Sequence, residues 1–212
     1  MNRTSFLVDG FNLYHSLRTA SDDLGGQSTK WLDLQSLLSS YLPVIGAGAT
    51  LEKIFYFSAL AVHLDHRRPG VTARHRLYLE CLRAADIVPI LGRFKYKKVH
   101  CRRCNQDNPH YEEKETDVAI SMKLVEILVL DEADTVVLVS GDTDLAPAVR
   151  TAGRLCPTKQ ICFGFPYKRR NNELARLVSK YFYIRKDRYV AHQFPDPVTL
   201  RSGRAVPKPA SW

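Results

Sequence analysis

Hydrophobic positions along this chain switch between two periods, and the switches predict strands alternating with helices. TSFLVDG reads as a short buried strand ending on Asp9, and FNLYHSLRTA behind it has helical spacing. SDDLGGQSTK is a loop by composition. LDLQSLLSSYL predicts a helix with Asp33 as its cap, closed by Pro43 and the glycines of VIGAGAT. LEKIFYFSAL is a second strand, HLDHRRPG a loop, and TARHRLYLECLRAA a helix whose apolar face includes Leu77, Leu79 or Tyr78, and Leu82. IVPILG is a third strand, and FKYKKVHC extends it as a basic, alternating segment.

RRCNQDNPHYEEKET is polar, with Glu112, Glu113, Lys114 and Glu115 in a predicted loop. DVAISMKLVEILVLDEA is the clearest helix. Ala119, Met122 and Ile127 make it apolar on much of its surface, as expected for a helix packed on a sheet. TVVLVSGD is a fourth strand, apolar throughout and therefore expected to be covered on both faces. TDLAPAVRTAGRL follows as a helix with Pro147 in its first turn. KQICFGF is a fifth strand, NNELARLVSKY a helix, and YFYIRK a last extended piece. From about Pro195 the chain turns polar and proline-rich, which predicts a poorly ordered tail without a core.

Alternating strands and helices imply an α/β fold with a doubly wound parallel sheet flanked by helices. Ligands of such sheets bind beyond the carboxyl ends of the strands, where the strand order reverses. Asp9 closes the first strand and Asp142 the fourth. If those strands are neighbours, both carboxylates open into one crevice.

Length and charge sharpen this picture. The 212 residues suffice for a buried core, and 45% hydrophobic with 25% charged residues is ordinary for a soluble globular protein. No run is apolar for long enough to span a bilayer, and the start lacks a secretory signal, so a cytoplasmic protein without membrane contact is expected. The net charge of +9 is uneven: residues 150–212 carry 14 Lys and Arg against 3 acidic residues, whereas residues 1–149 carry 17 against 19. Basic surface beside acidic residues suits an enzyme that processes a polyanion: the bases attract phosphates and the acids hold cations.

The acidic residues carry the chemistry. VDGFN places Asp9 at a strand end, Gly10 at a sharp turn and Asn12 one helical turn on; SGDTDL places Asp142 at another strand end and Asp144 two residues later. Asp117 begins the long helix, where free backbone amides favour a carboxylate. Singly, each reads as an ordinary helix cap or turn residue. Together, carboxylates at one sheet edge repel each other unless cations or shared protons intervene. Hard oxygen ligands of this kind select Mg²⁺ or Mn²⁺ over zinc. One or two such ions would activate water for in-line attack on a phosphodiester, with Lys114 a candidate partner for the phosphate.

VDGFNLYHSL, EEKETDVAISMKLVE and VVLVSGDTDLAPAV, in this order, resemble the NYN domain of the PIN-like nuclease superfamily. The similarity runs over about residues 3–185 and includes GRFKYKKVHCRRC. It implies a parallel sheet with PIN-type strand order and a Mg²⁺- or Mn²⁺-dependent ribonuclease site. It carries over Asp9, Asn12, Asp117, Asp142 and Asp144 as site positions. On this reading residues 1–190 form the NYN/PIN-like domain and residues 191–212 the basic tail. The expected activity is that of an endoribonuclease; a catalytically inactive RNA-binding module of the same fold is the alternative. A haloacid-dehalogenase-type phosphatase would need a second aspartate two residues after the first, where this chain has Phe11.

Five cysteines, an odd count without an export signal, argue for reduced thiols. Cys101 and Cys104 form a CxxC that with His110 would supply three ligands of a structural Zn²⁺; a reduced thiol pair in a hairpin loop is the other reading. For RNA, Arg67, Arg68, Arg93, Lys95 and Lys97, with Phe94 and Tyr96 between some of them, would line a groove where phosphates pair and bases stack. Lys168, Arg169 and Arg170 add a second basic cluster. The competing reading of the 93–98 segment is amphipathic alternation, with Phe94 and Tyr96 in the core.

Overall fold

The computed structural model describes residues 1–103 and 105–212. Strand β1 (Asn2–Asp9) lies in the middle of a seven-stranded sheet because its side chains are apolar on both faces. With a side-chain period of two, Phe6 and Val8 enter one core and Leu7 the other. β2 (Ala49–Ala59) divides the same way, Ile54 and Tyr56 against Phe55 and Phe57. So does β5 (Thr135–Val139), with Val137 and Val139 opposite Val136 and Leu138. All five β5 residues are buried, as its unbroken apolar run predicts.

Helices cover both faces. α1 (Gly10–Asp23), α2 (Leu34–Ser39), α3 (Leu42–Ile45) and α4 (Val71–Ala84) bring Leu13, Leu17, Leu37, Ile45 and Leu82 onto one face. α5 (Thr116–Val129) and α6 (Ala146–Leu155) bring Ile120, Leu124, Ile127 and Val149 onto the other. Burying each of these aliphatic or aromatic side chains stabilises the fold by roughly 1.5–3 kcal/mol. Asp33 caps α2 by accepting the Ser36 N–H at 3.0 Å, as expected. The helix expected to run through Leu42 breaks at Ser40, whose hydroxyl donates to the Leu37 carbonyl at 2.6 Å; Pro43 then sits in the first turn of α3.

The sheet order is β4-β3-β2-β1-β5-β6-β7, with β3 (Ile87–Cys101), β4 (Gln106–Lys114), β6 (Gln160–Phe165) and β7 (Lys180–Tyr183) completing it. Every pairing is parallel except β3 with β4. The chain winds outward from β1 through β2 to β3, returns to β5 beside β1, and winds outward again. The reversal therefore falls between β1 and β5, so Asp9 and Asp142 meet at the crevice the topology creates.

Four expectations need correction. The polar stretch around Glu112–Lys114 is strand β4, because the alternating β3 extension offers a free edge that it pairs antiparallel. NNELARLVSKY is helical only in α7 (Asn172–Ala175), and its end becomes β7, where Phe182 is buried beside β6. α5 packs on the sheet as expected, but Met122, counted with its apolar surface, faces solvent together with Val118 and Val129.

The fourth concerns the tail without a core. After α8 (Lys186–Ala191), Phe194, Val198 and Val206 are buried, and β8 (Val198–Thr199) pairs with β9 (Ala205–Val206). Trp212 packs edge-on against Trp31 and Tyr78, with ring centroids 5.9 and 5.6 Å away. Trp31 Nε1 donates to the Pro195 carbonyl at 3.1 Å. These apolar residues are too widely spaced to register as a period, yet all join the core on the α1 face of the sheet.

Candidate active site

Asp9 is fixed by what surrounds the start of α1. A side chain at Gly10 would place its Cβ 2.5 Å from the Phe57 carbonyl oxygen and 2.7 Å from the Tyr56 ring, so only glycine lets the helix begin this close to β2. Asp9 caps that helix: its Oδ1 accepts the Asn12 N–H at 2.9 Å. Its Oδ2 accepts the Ser140 hydroxyl at 2.8 Å, and the Ser140 oxygen accepts the Asp142 N–H at 3.1 Å. Asn12 Oδ1 accepts the Gly141 N–H at 3.1 Å. Two chain segments 130 residues apart in sequence are thus tied at their strand ends by side chains of Ser140 and Asn12. Asp142 caps the 3-10 turn Thr143–Leu145, accepting the Asp144 N–H at 3.0 Å.

Asp117 enters from the first turn of α5, on the other side of the sheet edge. Carboxylate oxygens of Asp9, Asp117 and Asp142 lie within 4.8 Å of one another. Asp9 is almost fully buried, and that burial raises its carboxyl above the usual range; the charge of Asp142 adds to this, while bonds from Asn12 and Ser140 oppose it. Asp117 is pushed up to about 6, first by burial and then by the charges of Asp142, Asp9, Glu113 and Asp144. Three carboxylates this close are destabilised as anions, and a divalent cation relieves both repulsion and desolvation. The donor set, all carboxylate oxygen, fits a hard cation.

Asp144 stands outside the triad on the 3-10 turn, exposed, and acts on Asp117 through its charge. Asn12 joins the site as the clamp on Gly141. Lys114 lies on β4, where its Nζ pairs with Glu112 at 2.9 Å. Arg67 and Arg68 are exposed in the turn before α4. Arg93, Lys95 and Lys97 share one exposed face of the β3–β4 hairpin, with Arg93 held by Glu115 at 2.7 Å. Phe94 and Tyr96 are on the opposite face. There His63 stacks on Tyr111 with centroids 4.2 Å apart, while Phe94 meets both His63 and Phe11 edge-on. Tyr96 remains 49% exposed, so the expectation that it enters the core does not hold. Lys168 is drawn to Asp23 at 2.6 Å, and Arg170 lies over the Tyr183 ring.

The zinc expectation falls largely outside the described residues, since Cys104 and the side chain of Cys101 are not described; His110 faces Lys97 across the hairpin.

Two contributors were not legible in the sequence. Glu113 becomes a fourth acidic neighbour only because β4 carries it to the head of α5, where its Oε1 accepts both the backbone N–H (3.2 Å) and the hydroxyl of Thr116. Gly141 is required by the loop after β6: a Cβ there would lie 1.9 Å from the Arg169 carbonyl oxygen. No local pattern signals either: both depend on how distant segments pair.

Comparison with known proteins bears on the family and the fold. The NYN domain family model matches residues 3–185. A 6-hydroxy-3-succinoylpyridine 3-monooxygenase from Pseudomonas putida is 28% identical over 176 residues, which is 70% of this chain and 54% of that protein. The chain thus spans about half the length of that curated relative. A crystal structure of a protein of unknown function from Vibrio parahaemolyticus superposes with a TM-score of 0.58 at 19% identity, covering 88% of this chain and 94% of that one. At that identity the likeness concerns the fold. Among the described residues, no helix is long and apolar enough to cross a membrane.

Proposed function

The chain belongs to the NYN domain family, a nuclease-like family, and we propose that it is a Mg²⁺- or Mn²⁺-dependent endoribonuclease whose catalytic centre is the Asp9–Asp117–Asp142 triad. The convergence of those three carboxylates within 4.8 Å carries the reading. Asp9, Asp117 and Asp142 would hold the cation, with Asp144 adding charge at the exposed side. A hard divalent ion there supplies Lewis acidity toward water and toward the phosphodiester.

The remaining work belongs to the protein. Ser140 and Asn12 keep Asp9 and Asp142 at fixed separation, so the site is organised before substrate arrives. Burial on the Asp9 side keeps bulk water from screening the centre. Exposed Lys95 and Lys97 on the β3–β4 hairpin, and Arg67 and Arg68 in the turn before α4, would offer an RNA backbone its electrostatic contacts. Arg169 and Arg170, in the loop packed on Gly141, would add to them on the β6 side. Lys114, paired with Glu112, would reach phosphate only by exchanging that partner.

The relative from Pseudomonas putida is named for oxygenation of a pyridine. The triad, carboxylate throughout, lacks the two imidazoles that a 2-His-1-carboxylate iron site would need, and fits a hard cation better. The test is cleavage of single-stranded and structured RNA by the purified chain. Loss of intact RNA with Mg²⁺ or Mn²⁺, none in EDTA, and at least a hundredfold loss in Asp142→Asn are expected. RNA left intact with either metal, or undiminished cutting by the variant, would overturn the assignment.

A further inference from the structure

On the α1 face of the sheet, beginning at the residues that follow Asp9, is a cavity of about 480 Å³. That size is typical of sites for small organic ligands and cofactors. Its walls are aromatic, with Phe11, Tyr56, Tyr78, Phe94 and Trp212 among them. Four cations also line it: Arg18 of α1, Lys30 of the loop beyond, Arg68 of the turn before α4, and Arg74 of α4. Among the described residues no acidic side chain lines the cavity, and none of these four cations forms an ion pair.

Unpaired like charges are costly to bring together. Arg18 and Arg74 stand near enough to Lys30 that their charges, added to its burial, hold its ammonium below the usual lysine range; Asp22 opposes this only in part. Such an arrangement is relieved by an anion of more than one charge. His63, which also lines the cavity, has a buried Nδ1 with no hydrogen-bond partner among the described residues. A planar aromatic group between the rings and a doubly charged group at the cations would complete both halves of the site.

We propose that this cavity binds a nucleoside monophosphate, with the base among the aromatic walls and the phosphate at Arg18, Lys30 and Arg74. A phosphate monoester carries close to two negative charges at neutral pH, which matches converging cations better than a single carboxylate does. The proposal rests on the reading of the chain as an RNA hydrolase, which provides two sources of this chemistry: the phosphorylated terminal nucleotide of a strand, or a free mononucleotide.

Calorimetric titration of the full chain in EDTA separates this site from the aspartate triad, since no divalent ion takes part. AMP should bind at one site, at least ten times more tightly than adenosine, inorganic phosphate or benzoate. Arg18→Gln and Lys30→Gln should each weaken AMP at least fivefold without lowering the melting temperature. Displacement of AMP by a 5′-phosphorylated oligoribonucleotide but not by its 5′-hydroxyl counterpart would identify a strand end as the source. Failure of both oligonucleotides to displace AMP would identify the free nucleotide. The proposal is overturned if AMP does not saturate, if adenosine or benzoate binds as well, or if both variants bind AMP like the parent chain. Cleavage is scored separately with Mg²⁺, so loss of AMP binding in a chain that cuts RNA rejects the cavity alone. AMP binding in a chain that cuts nothing rejects the hydrolase alone.

Discussion

Asp142 holds two roles that a single substitution pulls apart. Its Oδ1 caps the turn that follows, and its charge repels Asp9 and Asp117. Asparagine keeps the acceptor and removes the charge. Asp142→Asn should therefore melt higher than the parent chain without metal at neutral pH, by about 2–4 °C if about 1 kcal/mol of repulsion is relieved. It should also lose the metal-induced rise in melting temperature. Calorimetry with and without 5 mM Mg²⁺ checks both; a lower melting point without metal would mean the cap, not the charge, dominates.

The pH dependence follows from Asp117. Its folded value of about 6 lies above the ordinary aspartate value, so between roughly pH 4 and 6 the folded chain holds a proton that the unfolded chain has released. Metal-free stability should accordingly fall as pH rises through that window, and Asp117→Asn should flatten the slope. Denaturant midpoints at pH 4.5 and 6.5 without metal test this; a parent chain whose stability is level or rises, apart from other carboxylates' shared background in the variant, contradicts it.

At the scale of elements, the site was legible in the sequence because Asp9 ends the apolar run of β1 and Asp142 follows that of β5 by three residues, and both strands are central. What could not be read there is register and closure. Nothing in HYEEK says that Glu113 will face Asp117 rather than solvent, because that depends on β4 pairing antiparallel with the extension of β3. Likewise the close approach of Arg169 to Gly141 joins loops 28 residues apart. Gly141→Ala should move one of those loops, lower stability by about 1–3 kcal/mol, and disturb Asp142 enough to abolish metal binding. A variant with unaltered melting point and metal affinity would show that the loop yields freely.

The segment after α8 was misread for a similar reason: its stabilising residues lie far apart and find partners in other elements. Phe194 packs edge-on against Trp31 at 5.9 Å and against Tyr78 at 6.2 Å. Phe194→Ala should cost about 3–5 kcal/mol, seen as a lowered denaturant midpoint. A loss below 1 kcal/mol would mean this strap contributes little.

Across the whole molecule, a net charge of +9 coexists with an acidic triad, so the basic residues lie elsewhere on the chain. Affinity for RNA should therefore fall steeply with salt, and the paired reversal Lys95→Glu, Lys97→Glu should reduce the slope of log affinity against log salt by about 1–2. An unchanged slope would place the RNA elsewhere. The account as a whole depends on one property, the capture of a divalent ion by Asp9, Asp117 and Asp142. Titration of Mn²⁺ followed by electron paramagnetic resonance reads it directly. The parent chain should take up Mn²⁺ at a site that Mg²⁺ competes for, and Asp117→Asn should weaken it at least tenfold. Mn²⁺ that stays free in solution, or binds Asp117→Asn as tightly as the parent, would contradict it.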